Sequence, residues 1–144
     1  MIKKANVTDA ALVAKLALQM WEDNTLEGLT ADLAEIIANP ESAVFLLYDG
    51  DMAIGFAQCQ LRYDYVEGTD SSPVGYLEGI FVEESYRNKG CAKDLLKQCE
   101  AWAKNMGCIE FASDCELDNT GSLAFHLKMG FEEANRVICF TKKL

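Results

Sequence analysis

Two carboxylates and one glycine turn stand where their side chains or backbone could do chemistry. Glu78 lies inside Tyr76-Leu77-Glu78-Gly79-Ile80-Phe81-Val82, a run apolar and β-branched enough to be a buried strand. With regular alternation it shares a side with Tyr76, Ile80 and Val82. A carboxylate buried there without a partner would cost on the order of several kcal/mol. Attracting a cationic amine and helping to remove its proton would use it well; so would an internal ion pair, for which Arg62 is a candidate. Asp114 follows the expected strand Cys108–Ser113, and the C-terminal ends of strands in open α/β sheets gather at the ligand crevice. Its bland alternative is a turn or helix-cap aspartate.

The turn is Arg87-Asn88-Lys89-Gly90-Cys91-Ala92, between the end of the Glu78 strand and a helix. From Ala92 to Met106, the residues Leu95, Leu96, Cys99, Trp102 and Ala103 recur at helical spacing. Unpaired backbone N–H groups and the positive end of a helix dipole converge at such a junction, which makes it an anion site. Arg87, Lys89 and Lys93 add three cations to it in a chain of net charge −10. A pyrophosphate fits there, and so does an ordinary strand-to-helix turn with a solvated basic rim.

The elements that must hold these residues follow from patterning. Ile2 to Asn6 is a short strand, and Thr8 caps a helix whose apolar face is Leu12, Val13, Leu16, Ala17 and Met20. A second helix spans Ala31 to Ala38 and closes at Asn39-Pro40. Strands Val44–Tyr48 and Met52–Arg62 meet at the Asp49-Gly50 hairpin signal. A loop from Val66 to Pro73 leads to the strand Val74–Val82. After the helix from Gly90 come the strand Cys108–Ser113 and a helix Thr120–Met129, then terminal strands Phe131–Ala134 and Val137–Thr141. The pattern by itself indicates a mixed α/β domain spanning residues 1–144 as one unit, with no repeat or linker.

Composition narrows the partners. Twenty-three acidic against thirteen basic residues argue against nucleic acid, whose phosphates require a basic face. No apolar run approaches the roughly 20 residues that cross a bilayer, and the expectation is no membrane association. Six cysteines are scattered without a Cys-x-x-Cys pair and His126 is the single histidine, so no metal is expected. Met1-Ile2-Lys3-Lys4-Ala5-Asn6 lacks the apolar stretch of a secretory signal, and the thiols read as reduced and cytoplasmic.

Arg87-x-x-Gly90-x-Ala92 between strand and helix resembles the signature of the GNAT superfamily of acetyl-CoA-dependent N-acetyltransferases, as does the helix ending Phe125-His126-Leu127-Lys128-Met129-Gly130-Phe131. Tyr63-Asp64-Tyr65-Val66-Glu67-Gly68, Ser71-Ser72-Pro73-Val74, Leu77 to Val82 and Glu110 to Asp114 are similar in order and type to the small aminoglycoside 6'-N-acetyltransferases. That resemblance runs from about Ala53 to Lys143, with a weaker echo at Trp21.

The resemblance implies an α/β (α+β) GNAT fold: a mixed, mostly antiparallel sheet flanked by helices, with strands splayed where acetyl-CoA enters. It implies acetyl transfer from acetyl-CoA to the 6'-amine of aminoglycosides, through a ternary complex, by a homodimer in which the C-terminal strands take part. On this reading the catalytic candidates are Glu78 and His126, and substrate meets Trp21, Asn24, Tyr65, Glu78 and Asp114. The cofactor is carried by Ile80, Phe81, Val82, then Arg87, Asn88, Lys89, Gly90, Cys91 and Ala92, with Asn119 on the pantetheine arm or as a plain helix cap. Glu78 would remove the proton directly, act through water, or anchor the amine. Many relatives carry tyrosine as proton donor where this chain has Phe125-His126, and His126 would supply the proton or be a bystander. Asn24 and Asn135 stand where histidine and glutamate can occur in relatives. The rivals are an enzyme for polyamines or another small amine, and a non-catalytic acyl-CoA sensor.

Overall fold

The computed structural model describes residues 1–144. Its five strands lie in sequence order across one sheet: β1 (Ile2–Lys4), β2 (Ser42–Asp49), β3 (Met52–Arg62), β4 (Val74–Val82) and β5 (Phe111–Ser113). Neighbours are antiparallel until β4 and β5, which run parallel. A parallel neighbour needs a crossover, and α3 (Cys91–Asn105) supplies it. The β2–β3 hairpin closes at Gly50 with φ +59, as Asp49-Gly50 predicts.

The two faces of the sheet are legible in β2. Val44 and Leu46 pack against α1 (Ala10–Leu18) and α2 (Leu26–Ala38), with Val13, Ala17, Leu33, Phe56 and Phe81. Ala43, Phe45 and Leu47 pack on the other face, with Leu95, Leu96 and Cys99 of α3. Phe56 is fully buried between Trp21 and Phe81, 6.1 and 6.5 Å away by ring centroids. Burying such a ring is worth about 1.5–3 kcal/mol.

Several boundaries differ from expectation for local reasons. Asn6, not Thr8, caps the first turn: its side chain accepts the Thr8 N–H at 3.0 Å while Asp9 accepts the Asn6 N–H at 2.9 Å. α2 starts at Leu26 rather than Ala31, because Thr25 accepts the Gly28 N–H and opens the helix. β5 is confined to Phe111–Ser113, since the Cys108 N–H is spent on Ala103 at the end of α3. α4 covers Thr120–Lys128. The two expected terminal strands do not form. Residues 131–144 carry no ladder of their own, and Val137, Ile138 and Phe140 are exposed. A strand is stable only against a partner, and no strand of this chain pairs with them.

Two irregularities of β4 shape the site. β5 pairs only with Gly75, Tyr76 and Leu77, so Glu78–Val82 have no neighbour on that side and the sheet forks. Against β3, Gln58 faces Gly79 and Cys59 faces Leu77, which leaves Glu78 as an extra residue in a β-bulge. The bulge reverses the alternation. Leu77 lies in the α3 layer, and so do Ile80 and Val82. Glu78 therefore does not share a side with Ile80 and Val82, as regular alternation predicts; it shares one with Tyr76 and Gly79.

Candidate active site

On the α1/α2 face, four side chains hold one another in series. Arg62, the last residue of β3, donates from Nε to Glu78 Oε1 at 3.0 Å and from Nη2 to Oε1 and Oε2 at 2.6 and 3.0 Å. Its guanidinium lies 3.4 Å from the centroid of the Tyr76 ring. The Tyr76 hydroxyl donates to Asp114 Oδ2. Burial first, and then the Asp114 carboxylate, push the Tyr76 phenol well above its ordinary range, so it is a neutral donor. Glu78 and Asp114 are thus brought into one group, and the Arg62 ion pair weighed from sequence is present.

Trp21 belongs to the same region. It sits in the turn after α1, with one edge on Phe56. A Cβ at Gly79 would come within 2.8 Å of its ring, so only glycine lets the indole lie against the strand beside Glu78. The indole packs on the core through Phe56 and also lines a cleft of about 470 Å³ with Met20, Glu22, Asp23, Asn24 and Glu116. Asn24 is fixed there by its amide donating to the Trp21 carbonyl at 3.1 Å. Tyr65 stands apart, 81% exposed, its hydroxyl donating to Glu67 at 2.6 Å. Its loop is tied to the β5 side by Glu110, which accepts the Asp70 N–H at 2.9 Å and the Ser71 hydroxyl. The Ser71 and Asp70 donors hold the Glu110 carboxyl below its usual range. Asn135 reaches Glu67 at 3.4 Å.

The opposite wall of the fork is backbone. Gly90, at φ +85, is the N-cap of α3 and provides no side-chain cap, so the first N–H groups of the helix are free of a protein partner on that account. A Cβ at Gly90 would meet nothing within 4 Å, so the turn is open there and an anion can approach the N–H groups of the helix start. Asn88 also has positive φ, +62. The Arg87 side chain turns back, donating to the Val82 carbonyl at 2.8 Å, and Lys89 reaches the Ser85 carbonyl at 3.1 Å. These two side chains brace the turn and leave its binding capacity to the main chain. Ile80, Phe81 and Val82 offer the unpaired edge of β4 at the fork.

His126 lies 2.7 Å through Nδ1 from the Ser122 carbonyl and 2.8 Å through Nε2 from Ser113 Oγ. A carbonyl only accepts, so Nδ1 donates to Ser122, and Nε2 faces the Ser113 hydroxyl. Ser113 Oγ is also 3.3 Å from the Leu77 carbonyl, at the apex of the fork. Any proton from His126 to that apex therefore passes through Ser113. Asn119 accepts the Ser122 N–H at 3.1 Å as N-cap of α4.

Sequence reasoning overlooked Ser113, Glu116 and Tyr76. The alternation of β4 pointed to Tyr76, but a tyrosine in a strand has no distinguishing mark. No three or more His, Cys, Asp or Glu side chains come together as metal ligands, and no helix is long and apolar enough to cross a membrane.

Residues 12–131 match the family described as acetyltransferase (GNAT) family. The aminoglycoside N(6')-acetyltransferase type 1 of Stenotrophomonas maltophilia is 42% identical over 146 residues, covering 99% of this chain and 93% of that protein. The protein of the same name from Acinetobacter haemolyticus is 38% identical over 143 residues, covering 99% and 98%. Among solved structures, AAC(6')-Iy in complex with the bisubstrate analogue CoA-S-monomethyl-acetylneamine superposes with a TM-score of 0.95 at 41% identity, covering 100% of this chain and 98% of that one.

Proposed function

The chain belongs to the GNAT family of acetyltransferases, and from that premise we propose that it transfers acetyl from acetyl-CoA to the 6'-amino group of aminoglycosides, so conferring resistance to them. The observation that carries the reading is the fork between β4 and β5. On one side of it stands a carboxylate pair walled by an indole, and on the other a helix N-terminus that no side chain caps.

The backbone from Arg87 to Ala92 takes the pyrophosphate, the free edge Ile80–Val82 takes the pantetheine arm, and Asn119 lies at its flank. The amine is held by Glu78 and Asp114, with Trp21, Asn24 and Tyr65 along the sugar. Its nitrogen attacks the thioester carbonyl, a C–N bond forms, the C–S bond breaks, and CoA departs as thiolate. The proton lost by the ammonium goes to Glu78 or a water beside it; a His126 protonated at Nε2 gives that proton to Ser113 Oγ as the Ser113 hydroxyl gives its own to the sulfur. Transfer is direct, in a ternary complex.

The protein acts in the cytoplasm as a homodimer. The exposed Val137, Ile138 and Phe140 support this, because an apolar segment without a partner strand in its own chain is suited to one from a second copy. Purified protein given acetyl-CoA with tobramycin, kanamycin and spermidine tests the activity by release of free CoA. Turnover with spermidine alone would make it a polyamine enzyme, and none with any amine an acyl-CoA sensor. A monomeric mass by light scattering would exclude the dimer.

A further inference from the structure

Arg62 is unexpected where it is. A site that gathers carboxylates to attract ammonium groups has a permanent cation inside it, placed on the very carboxylate expected to meet the amine. The pair is not a surface accident. The side chains are 36% and 20% exposed, the fork is held by three hydrogen bonds, and the guanidinium is clamped from its flat side by Tyr76. A planar guanidinium can bond in its plane and stack on its face at once, which an ammonium cannot. Tyr76 in turn fixes Asp114. Arg62 thereby orients the carboxylate of β4, while Asp114, just past the end of β5, is held by the Tyr76 hydroxyl.

We propose that Arg62 is a positioning residue that sets selectivity at the acceptor site. It offsets part of the charge of Glu78 and locks its orientation, so that an amine is accepted for where it is held more than for how strongly it is attracted. The bulge makes this necessary. Glu78 is the one residue of β4 outside the β3 register, and without a tether its side chain has no neighbour in the ladder to define its direction. Arg62, paired in register with Val74 at the strand end, is anchored by regular β-structure and passes that rigidity to the bulged residue.

The proposal rests on the reading of Glu78 as the residue that meets the amine, and the test separates the two. Steady-state kinetics would be measured with tobramycin and acetyl-CoA for R62K, R62M, E78Q and the R62M/E78Q double variant, with thermal melts to confirm that each is folded. R62M should lower kcat about tenfold while KM for tobramycin stays level or falls, since a competing cation has gone; KM for acetyl-CoA should not move. R62K keeps the charge without the planar fork and should recover only part of kcat. In the E78Q background R62M should have no further effect. Y76F gives a second route: it keeps the stacking ring but releases Asp114, and it should raise KM for tobramycin several-fold with a smaller loss in kcat. R62M kinetics equal to those of the unsubstituted protein, or an R62M loss that multiplies independently onto E78Q, would overturn the proposal while leaving Glu78 in place. If E78Q itself turns over normally, the reading of the acceptor site fails first.

Discussion

The two halves of the proposed site are built in different materials. On the acceptor side, Glu78, Arg62, Tyr76 and Asp114 are side chains that bond one another, and each owes its position to the next. On the cofactor side, Arg87 and Lys89 spend their side chains on nearby carbonyls, and what remains to meet a ligand is main chain around Gly90. A site of side chains is exchangeable: one substitution changes what it recognises. A site of backbone N–H groups is indifferent to most substitutions and sensitive to whatever changes φ. As proposed, one half would vary with the acceptor while the other would hold a constant co-substrate.

That contrast sets the order of expected effects. Glu78→Gln should lower kcat by about 10²-fold or more, a general-base or anchoring loss, with acetyl-CoA affinity unchanged by calorimetry. A fall in both would mean that the two halves are not separable. Gly90→Val should weaken acetyl-CoA binding by roughly tenfold or more, because positive φ costs a β-branched residue about 1–3 kcal/mol and its side chain fills the cradle. The melting curve should show a folded protein, and unchanged cofactor affinity in it would remove the turn from the cofactor site. Raising salt should then weaken tobramycin more than acetyl-CoA, since attraction by exposed acids is screened beyond roughly 8 Å at physiological ionic strength. Equal losses in paired titrations would erase the electrostatic half of the contrast. The smallest effect is expected for Gly79→Ala, whose Cβ would press on Trp21 at 2.8 Å. KM for the aminoglycoside should rise a few-fold with kcat nearly level, and an unmoved KM would take the indole out of the acceptor wall.

The same contrast explains what could be read in advance. Gly90 and the strand-helix junction were legible because backbone sites leave a mark in sequence: a glycine at a fixed distance between two periodicities. Glu78 was legible as a charge inside an apolar run. Its direction was not, because a bulge depends on the register between two strands and leaves no trace in one of them. For the same reason Arg62 could be named as a partner while its stacking on Tyr76 could not. Thr25 is a missed signal of another kind: it opens α2 as an N-cap in plain sight, and Leu26, Leu29 and Leu33 keep helical spacing, but Gly28 and Thr30, both poor helix formers, hid the first turn. At the C-terminus, Val137–Thr141 has the composition of a strand and lacks a partner in this chain. Propensity describes what a segment suits, and pairing needs something to pair with.

The bulge at Glu78 has a consequence for anyone altering this strand. It behaves as a phase slip: everything in β4 before it counts in one frame and everything after it in another. Changing a residue keeps the frame, but removing one between Leu77 and Gly79 would return the strand to even count. The sheet could still close, with Tyr76 and Val82 on their present faces, and β4 would have no carboxylate left over on that face. Along this stretch the length of the strand specifies the site as much as the identity of its acid does.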